Sequence, residues 1–185
     1  MRWKNDERFQ DALDSVLAEE GGRANDPNDR GGLTMAGITQ ETYDRYRTRK
    51  NLPPRPVDES THDERVEAYY EDYWVRGQCR AFPAPFDYLF FDTIVQHGRA
   101  VRLMQEAMGV KADGMIGPIT RGAVTNHPQG LAYACRALLR RRLRYYAQLA
   151  SDEGRNDPEK VFLPGWVFRL SRLWDHVELH FSKEE

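Results

Sequence analysis

The 185-residue sequence predicts an α+β fold that is mainly α, with a small β-hairpin near the N-terminus. Apolar residues recur at helical spacing through most of the chain, while the one long run of turn formers, RANDPNDRGGLTMAGIT, is confined to residues 23–39. No tandem repeat or low-complexity linker interrupts the pattern, and the length suits one substantial core, so a single compact body is expected.

The first helix follows from Phe9, Leu13, Val16 and Glu20, at offsets 0, 4, 7 and 11, with Ala12 and Leu17 alongside. Gly21-Gly22 then ends it as a left-handed cap requires. Gly31-Gly32 suits a tight hairpin leading into short strands around Leu33 to Ile38. Thr61 with Glu64 reads as a capping box for a helix whose Val66, Tyr70, Tyr73 and Trp74 share a face. Pro83 and Pro85 break the chain before FDYLFFDTIVQHG, which Gly98 ends or kinks, and RAVRLMQEAMGV reads as a buried helix. DGMIGPIT is a loop whose Pro118 opens a short helix. A long helix is expected over about residues 130–150, and a last one over about 166–181 with Trp166, Leu170, Leu173, Trp174 and Val177 inward.

Composition narrows the function less than the fold. A 40% hydrophobic fraction is globular, and a net charge of −2 gives no overall attraction to a polyanion. Cys79 and Cys135 are far apart and lack a CxxC companion, which suggests reduced buried thiols. The charged N-terminus, MRWKNDERFQDALDSVL, lacks the apolar segment of a signal peptide, and no apolar window is long enough for a bilayer span. Synthesis in the cytoplasm without stable membrane insertion is therefore expected.

The stretch LAEEGG raises the chemical question. At 100° per residue Glu20 falls about 20° from Phe9, whereas Glu19 lies about 80° to the other side, so Glu20 is the carboxylate on the apolar stripe. Desolvation and the negative end of the helix dipole both hold on to its proton. Such an acid suits protonation of a glycosidic leaving oxygen, although a helix-end glutamate also sits simply in solvent.

EEGGRANDPNDRGGLTMAGIT resembles the N-terminal signature of glycoside hydrolase family 108, through EGG, NDP, the Asp before the Gly pair, and the Thr and GIT that follow. FFDTIVQHGRAVRLMQEAMGVKADGMIGPIT resembles the predicted peptidoglycan domain that accompanies the family, and PGWVFR suits its C-terminal part. The resemblance implies a lysozyme-like N-acetylmuramidase with Glu20 as catalytic acid. The spacing of Glu20, Asp29 and Thr34 is also similar to the Glu, Asp and Thr of phage-type lysozymes, except that the second spacer is one residue shorter here. It implies that Asp29, or a water held by Asp29 and Thr34, acts from the opposite face of the sugar. The sequence leaves inversion and retention open, and the analogy favours inversion.

The resemblance extends to substrate contacts. A Tyr-Trp pair ends the third helix in the family, matched by Tyr73 and Trp74, although aromatics at this spacing also build cores. Gln96 stands where the family usually has Asn, and Asp92 is retained. Asp113-Gly114, Gly117-Pro118 and Thr120 resemble turns of peptidoglycan-recognition modules, which makes Asp113 a binding candidate. Arg136, Arg140, Arg141, Arg142 and Arg144 form a basic patch on the long helix, without any DNA-binding signature. DPNDRG has Arg where a calcium loop needs oxygen, and HVELH is not HExxH, so no metal and no cofactor are expected.

Together these features predict a muramidase segment over residues 1–92 and a helical peptidoglycan-domain segment over 93–185, packed into one body. The expected substrate is the β-1,4 bond between N-acetylmuramic acid and N-acetylglucosamine in bacterial glycan strands. The resemblance also implies action on the cell wall after release through a holin or a secretion pathway, with no nucleic-acid partner.

Overall fold

The computed structural model describes residues 2–19, 23–24, 34–35, 37–151 and 159–183. The chain is mainly helical with one small sheet, the class expected, and forms two compact units, Met1–Cys79 and Arg80–Glu185.

The first unit contains α1 (Glu7–Glu19), β1 (Arg23–Ala24), β2 (Thr34–Met35), β3 (Ile38–Thr39), α2 (Gln40–Arg49) and α3 (His62–Tyr69). Phe9, Ala12, Leu13 and Val16 form the buried stripe of α1. Buried Asp6 caps that helix by accepting from Phe9 N at 3.3 Å, and its other oxygen accepts from Trp74 Nε1 at 3.1 Å. One carboxylate thus starts α1 and pins the chain that follows α3.

The strands are antiparallel in the order β1-β2-β3, with Arg23 opposite Met35, Ala24 opposite Thr34, Thr34 opposite Thr39, and Met35 opposite Ile38. Within the segment expected to carry short strands from Leu33 to Ile38, Met35 of β2 pairs with Ile38 of β3, and Gly37 before β3 has φ +76°. A two-residue connection needs that left-handed conformation, which glycine supplies without a Cβ clash. Gly31-Gly32, the expected hairpin turn, lies outside the described residues.

Thr61 and Glu64 form the expected capping box of α3. Glu64 also accepts from Arg47 at 2.8 Å and from the Tyr43 hydroxyl at 3.0 Å, and it pairs with Arg55. Burial raises its pKa, but hydrogen bonds from Thr61 and Tyr43 and the charge of Arg55 outweigh burial and hold the carboxyl below its ordinary value. This carboxylate ties α2 to α3.

Residues Tyr70–Val75 continue α3 as a π-turn, marked by Arg76 N donating to Glu71 O. In an α-helix Trp74 would lie about 140° from Tyr69. The extra residue in the turn brings both inward, so Tyr69 and Trp74 are buried while Tyr70 and Tyr73 are half-buried. The expected face therefore rotates part-way along.

The second unit contains α4 (Phe86–Gln96), α5 (Ala100–Ala107), α6 (Pro118–Thr125), α7 (Gly130–Ser151) and α8 (Glu159–Phe181). Phe82 packs on Phe86 and Phe90 with ring centroids 5.4 and 5.3 Å apart. Helix α5 buries one face rather than all sides: Leu103 and Met104 are inside and Arg102 is exposed. Helix α8 starts seven residues before the expected position, with Pro164 near its beginning, where only one intrahelical bond is forgone. Of its expected inward residues, Leu170, Leu173 and Val177 are buried and Trp166 stacks on Tyr146 at 4.9 Å. Trp174 instead remains 37% exposed at the rim of an apolar groove between α7 and α8.

The expected basic patch is largely consumed by pairing. Arg136 grips Glu178 with two bonds of 2.8 and 2.9 Å, and Arg141 binds Glu106 at 2.7 Å. Fully buried Arg142 places Nη1 2.8 Å from Asp92 Oδ1 without hydrogen-bond alignment. Arg169 Nε donates to Asp92 Oδ2 at 2.8 Å. One carboxylate on α4 therefore holds two guanidiniums, from α7 and α8, inside the unit.

Asp92→Asn keeps the side-chain size but strands both guanidiniums, so it should cost about 3–5 kcal/mol, more than a neutral hydrogen-bond deletion. Urea denaturation of the full chain measures this, and an unchanged midpoint would show that Asp92 does not hold the unit together.

Candidate active site

The predicted catalytic residues belong to the first unit. Helix α1 is described through Glu19, and Glu20 follows it in the chain; Glu20 and Asp29 lie outside the described residues. Thr34 is placed by its backbone as the first residue of β2, opposite Ala24 and Thr39, and its side chain lies outside what is described. The described part of the candidate site is therefore its frame: the end of α1, the three short strands and the elements that brace them.

That bracing begins at Thr39, which is both the end of β3 and the cap of α2. Its hydroxyl accepts from Thr42 N at 3.2 Å and donates to Thr42 Oγ1 at 3.1 Å. Thr42 Oγ1 also accepts from Arg45 at 3.1 Å and lies 3.4 Å from the Tyr73 hydroxyl. Tyr73 thus meets α2 at Thr42, whose hydroxyl is bonded by Thr39, the residue that pairs with Thr34 in the sheet. Its neighbour does something different. Trp74 is 1% exposed, is bonded to Asp6 and packs on Phe9 at 5.8 Å, so its ring has no face for a sugar. Core packing, the other role its spacing allowed, is the one it takes.

Gln96 and Asp113 belong to the second unit. Gln96 is the half-buried last residue of α4. Asp113 faces its own loop: Oδ1 accepts from Met115 N at 2.9 Å and from Gln105 Nε2 at 2.8 Å. Those two bonds, the backbone one first, hold its carboxyl below the ordinary range. Asp113 is thus a staple of the loop. Among the described residues no group of three His, Cys, Asp or Glu is arranged to hold a metal ion, and no helix is long and apolar enough to cross a membrane.

Comparison with known proteins adds what this frame lacks. Residues 13–98 match the model of glycosyl hydrolase 108, and residues 99–171 match that of a predicted peptidoglycan domain. The segment 13–98 belongs to glycosyl hydrolase family 108. Its fold is similar to that of SagA from Brucella abortus, with 27% identity and a TM-score of 0.76 over 92% of this chain and 94% of that one. No curated protein matches it. Family 108 membership and the second domain make the chain a glycoside hydrolase acting on peptidoglycan. The family 108 match begins within α1 and runs two residues past Gln96, so Glu20, Asp29, Thr34, Tyr73 and Gln96 all fall inside it, and Asp113 falls in the peptidoglycan domain.

Two groups beside the predicted ones escape sequence reading. Gln105 is 1% exposed and clasps the 113–115 loop, although its position inside RAVRLMQEAMGV gave only a helical signal. His97, next to Gln96, has Nε2 2.8 Å from the Tyr146 hydroxyl, which accepts from Arg142 at 3.1 Å. Since Arg142 can only donate, the hydroxyl uses both its capacities when its own O–H donates to the bare Nε2 of a neutral imidazole. Burial first, and then the charge of Arg142, push the His97 pKa down to about 3. A signal for this chain did exist: Leu138, Arg142 and Tyr146 are four apart, which sets Arg142 on an apolar stripe.

The linked pH dependence has a definite sign. Below its ordinary pKa of 6.5 His97 binds a proton in the unfolded chain but not in the folded one, so stability falls as pH drops from 6.5 towards 3. By pH 5 the loss attributable to His97 should be about 2 kcal/mol. Comparing unfolding at pH 7.5 and pH 5 tests it: the His97→Gln chain should lose that much less than the wild type, and equal losses would rule the mechanism out.

Proposed function

We propose that the chain is an N-acetylmuramidase that hydrolyses the β-1,4 bond between N-acetylmuramic acid and N-acetylglucosamine. The observation that carries this reading is the family 108 match over residues 13–98, in which the signature Glu follows directly on α1. Glu20, in sequence register with the buried Phe9, Leu13 and Val16, donates a proton to the leaving oxygen. The sequence register with that stripe is what selects Glu20 over Glu19 for this step. Asp29 and Thr34 direct water, or stabilise the developing oxocarbenium ion, from the other face of the sugar. Tyr73 contacts Thr42, which is bonded to Thr39, the strand partner of Thr34. The cellular setting follows from the same reading: an endolysin or secretion-associated muramidase, made in the cytoplasm and passed to the wall by a holin or a secretion pathway.

Release of soluble muropeptides from purified sacculi tests the assignment. Glu20→Gln keeps the size and removes the transferable proton, so it should lower the rate at least ~100-fold, while Glu19→Gln stays near wild type. Full activity in Glu20→Gln would end the mechanism. Mass spectrometry of the products should show reducing ends carrying oxygen from water; 1,6-anhydro ends would instead identify a lytic transglycosylase.

A further inference from the structure

The loop before α6 is held more firmly than its exposure requires. The two hydrogens of Gln105 Nε2 are shared among three acceptors, Asp113 Oδ1 at 2.8 Å, Met115 O at 3.0 Å and Thr120 Oγ1 at 3.1 Å, while its Oε1 accepts from Gly114 N at 2.8 Å. Thr120 Oγ1 returns a bond to Met115 O at 3.2 Å, and Gly114 takes the φ of +83° that the turn needs. A buried amide and two further side chains thus fix the surface loop at residues 113–115. Yet this loop and the turn after it hold out two large apolar side chains, Met115 at 69% exposure and Ile119 at 77%. Their exposure contributes nothing to folding, whereas a rigid scaffold lowers the ordering cost of any ligand that covers them.

The charges around them are unbalanced. Arg102 lies against Gly114, with Nε 3.5 Å from where a Cβ would stand, and donates to Ala112 O. Lys111 is exposed beside the same turn, and among the described residues neither cation has a carboxylate within ion-pair distance. Asp113 beside them bonds Gln105 and Met115 but keeps its charge, which Lys111 helps to stabilise, so the two cations exceed that one adjacent anion. A ligand matching this surface carries small apolar groups and free carboxylates close together.

On the reading that the chain acts on peptidoglycan, we propose that Met115 and Ile119, flanked by Arg102 and Lys111, form a docking site for the stem peptides of that polymer. Stem peptides alternate alanine methyls with free carboxylates, which suits the pair of apolar side chains and the two cations. Bare glycan suits it less, because pyranose faces pack best on flat aromatic rings and this loop has none. The predicted peptidoglycan domain spans residues 99–171. The loop geometry selects one surface of it and one part of the polymer.

The test is cosedimentation of the full chain on ice with two polymers: intact sacculi, and glycan strands stripped of stem peptides by an amidase. The wild type should bind intact sacculi and bind stripped strands at least ~10-fold more weakly. Met115→Ser with Ile119→Ser should lose at least ~10-fold on intact sacculi with an unchanged thermal midpoint, and Arg102→Gln with Lys111→Gln should weaken binding in a salt-dependent way. Wild-type binding by the Met115/Ile119 double variant overturns the site, and equal wild-type binding to both polymers overturns the stem-peptide assignment. A wild type that binds intact sacculi but releases no muropeptide contradicts the muramidase reading and leaves the docking site standing. A wild type that neither binds nor cuts removes both.

Discussion

Asp92 is the constraint on which the second unit depends. It sits on α4, and its two oxygens face guanidiniums from α7 and α8, so three helices converge on one carboxylate. Two cations and one anion leave an excess positive charge inside, which adds to burial, the larger cause, in keeping nearby His97 neutral. Buried ion pairs seldom stabilise more than a well-packed apolar cluster of equal volume, but they penalise every arrangement that separates the partners. The cluster therefore specifies which helices meet.

That specification has a consequence for domain organisation. The family 108 match runs to residue 98 and so includes α4, while Arg142 and Arg169 lie in the peptidoglycan domain. Packing places α4 with the second unit, and the division between compact units comes earlier, at Cys79–Arg80. The last helix of the hydrolase segment is thus built into the helical stack of the domain that follows. An ion cluster shared across the sequence boundary makes the two segments structurally interdependent.

The first unit uses the same economy of carboxylates. Asp6 caps α1 and holds Trp74, and Glu64 caps α3 while gathering Arg47, Arg55 and Tyr43 from α2 and the chain after it. These contacts fix the helix that leads to Glu20 and the helix that begins where β3 ends. The π-turn after α3 turns Trp74 into the core and leaves Tyr73 within reach of Thr42. A glycosidase needs its acid and its water-directing groups on separate elements held at a set spacing. On the proposed reading, the described elements flanking those groups are the end of α1 and a short sheet, each tied down by side chains of the same unit.

Much of this was legible in the sequence, because helices and caps follow from local periodicity. The α1 stripe, the Thr61–Glu64 box, the Pro118 start of α6 and the extent of α7 depend on neighbours within a turn or two. The choice of Glu20 as candidate acid rests on the same kind of local periodicity, its sequence register with Phe9, at a position outside the described residues. Other features were decided only by tertiary structure. An arginine at position 142 reads as surface charge until Asp92, fifty residues earlier, supplies its counterion. A tryptophan at 74 reads as a ligand platform until Asp6 and a π-turn draw it inward, and a glutamine at 105 reads as a helical spacer until a distant loop closes over it. Periodicity records which face of an element is apolar, but the partner of a buried polar group is set by chain segments far apart in sequence, and only the folded arrangement brings them together.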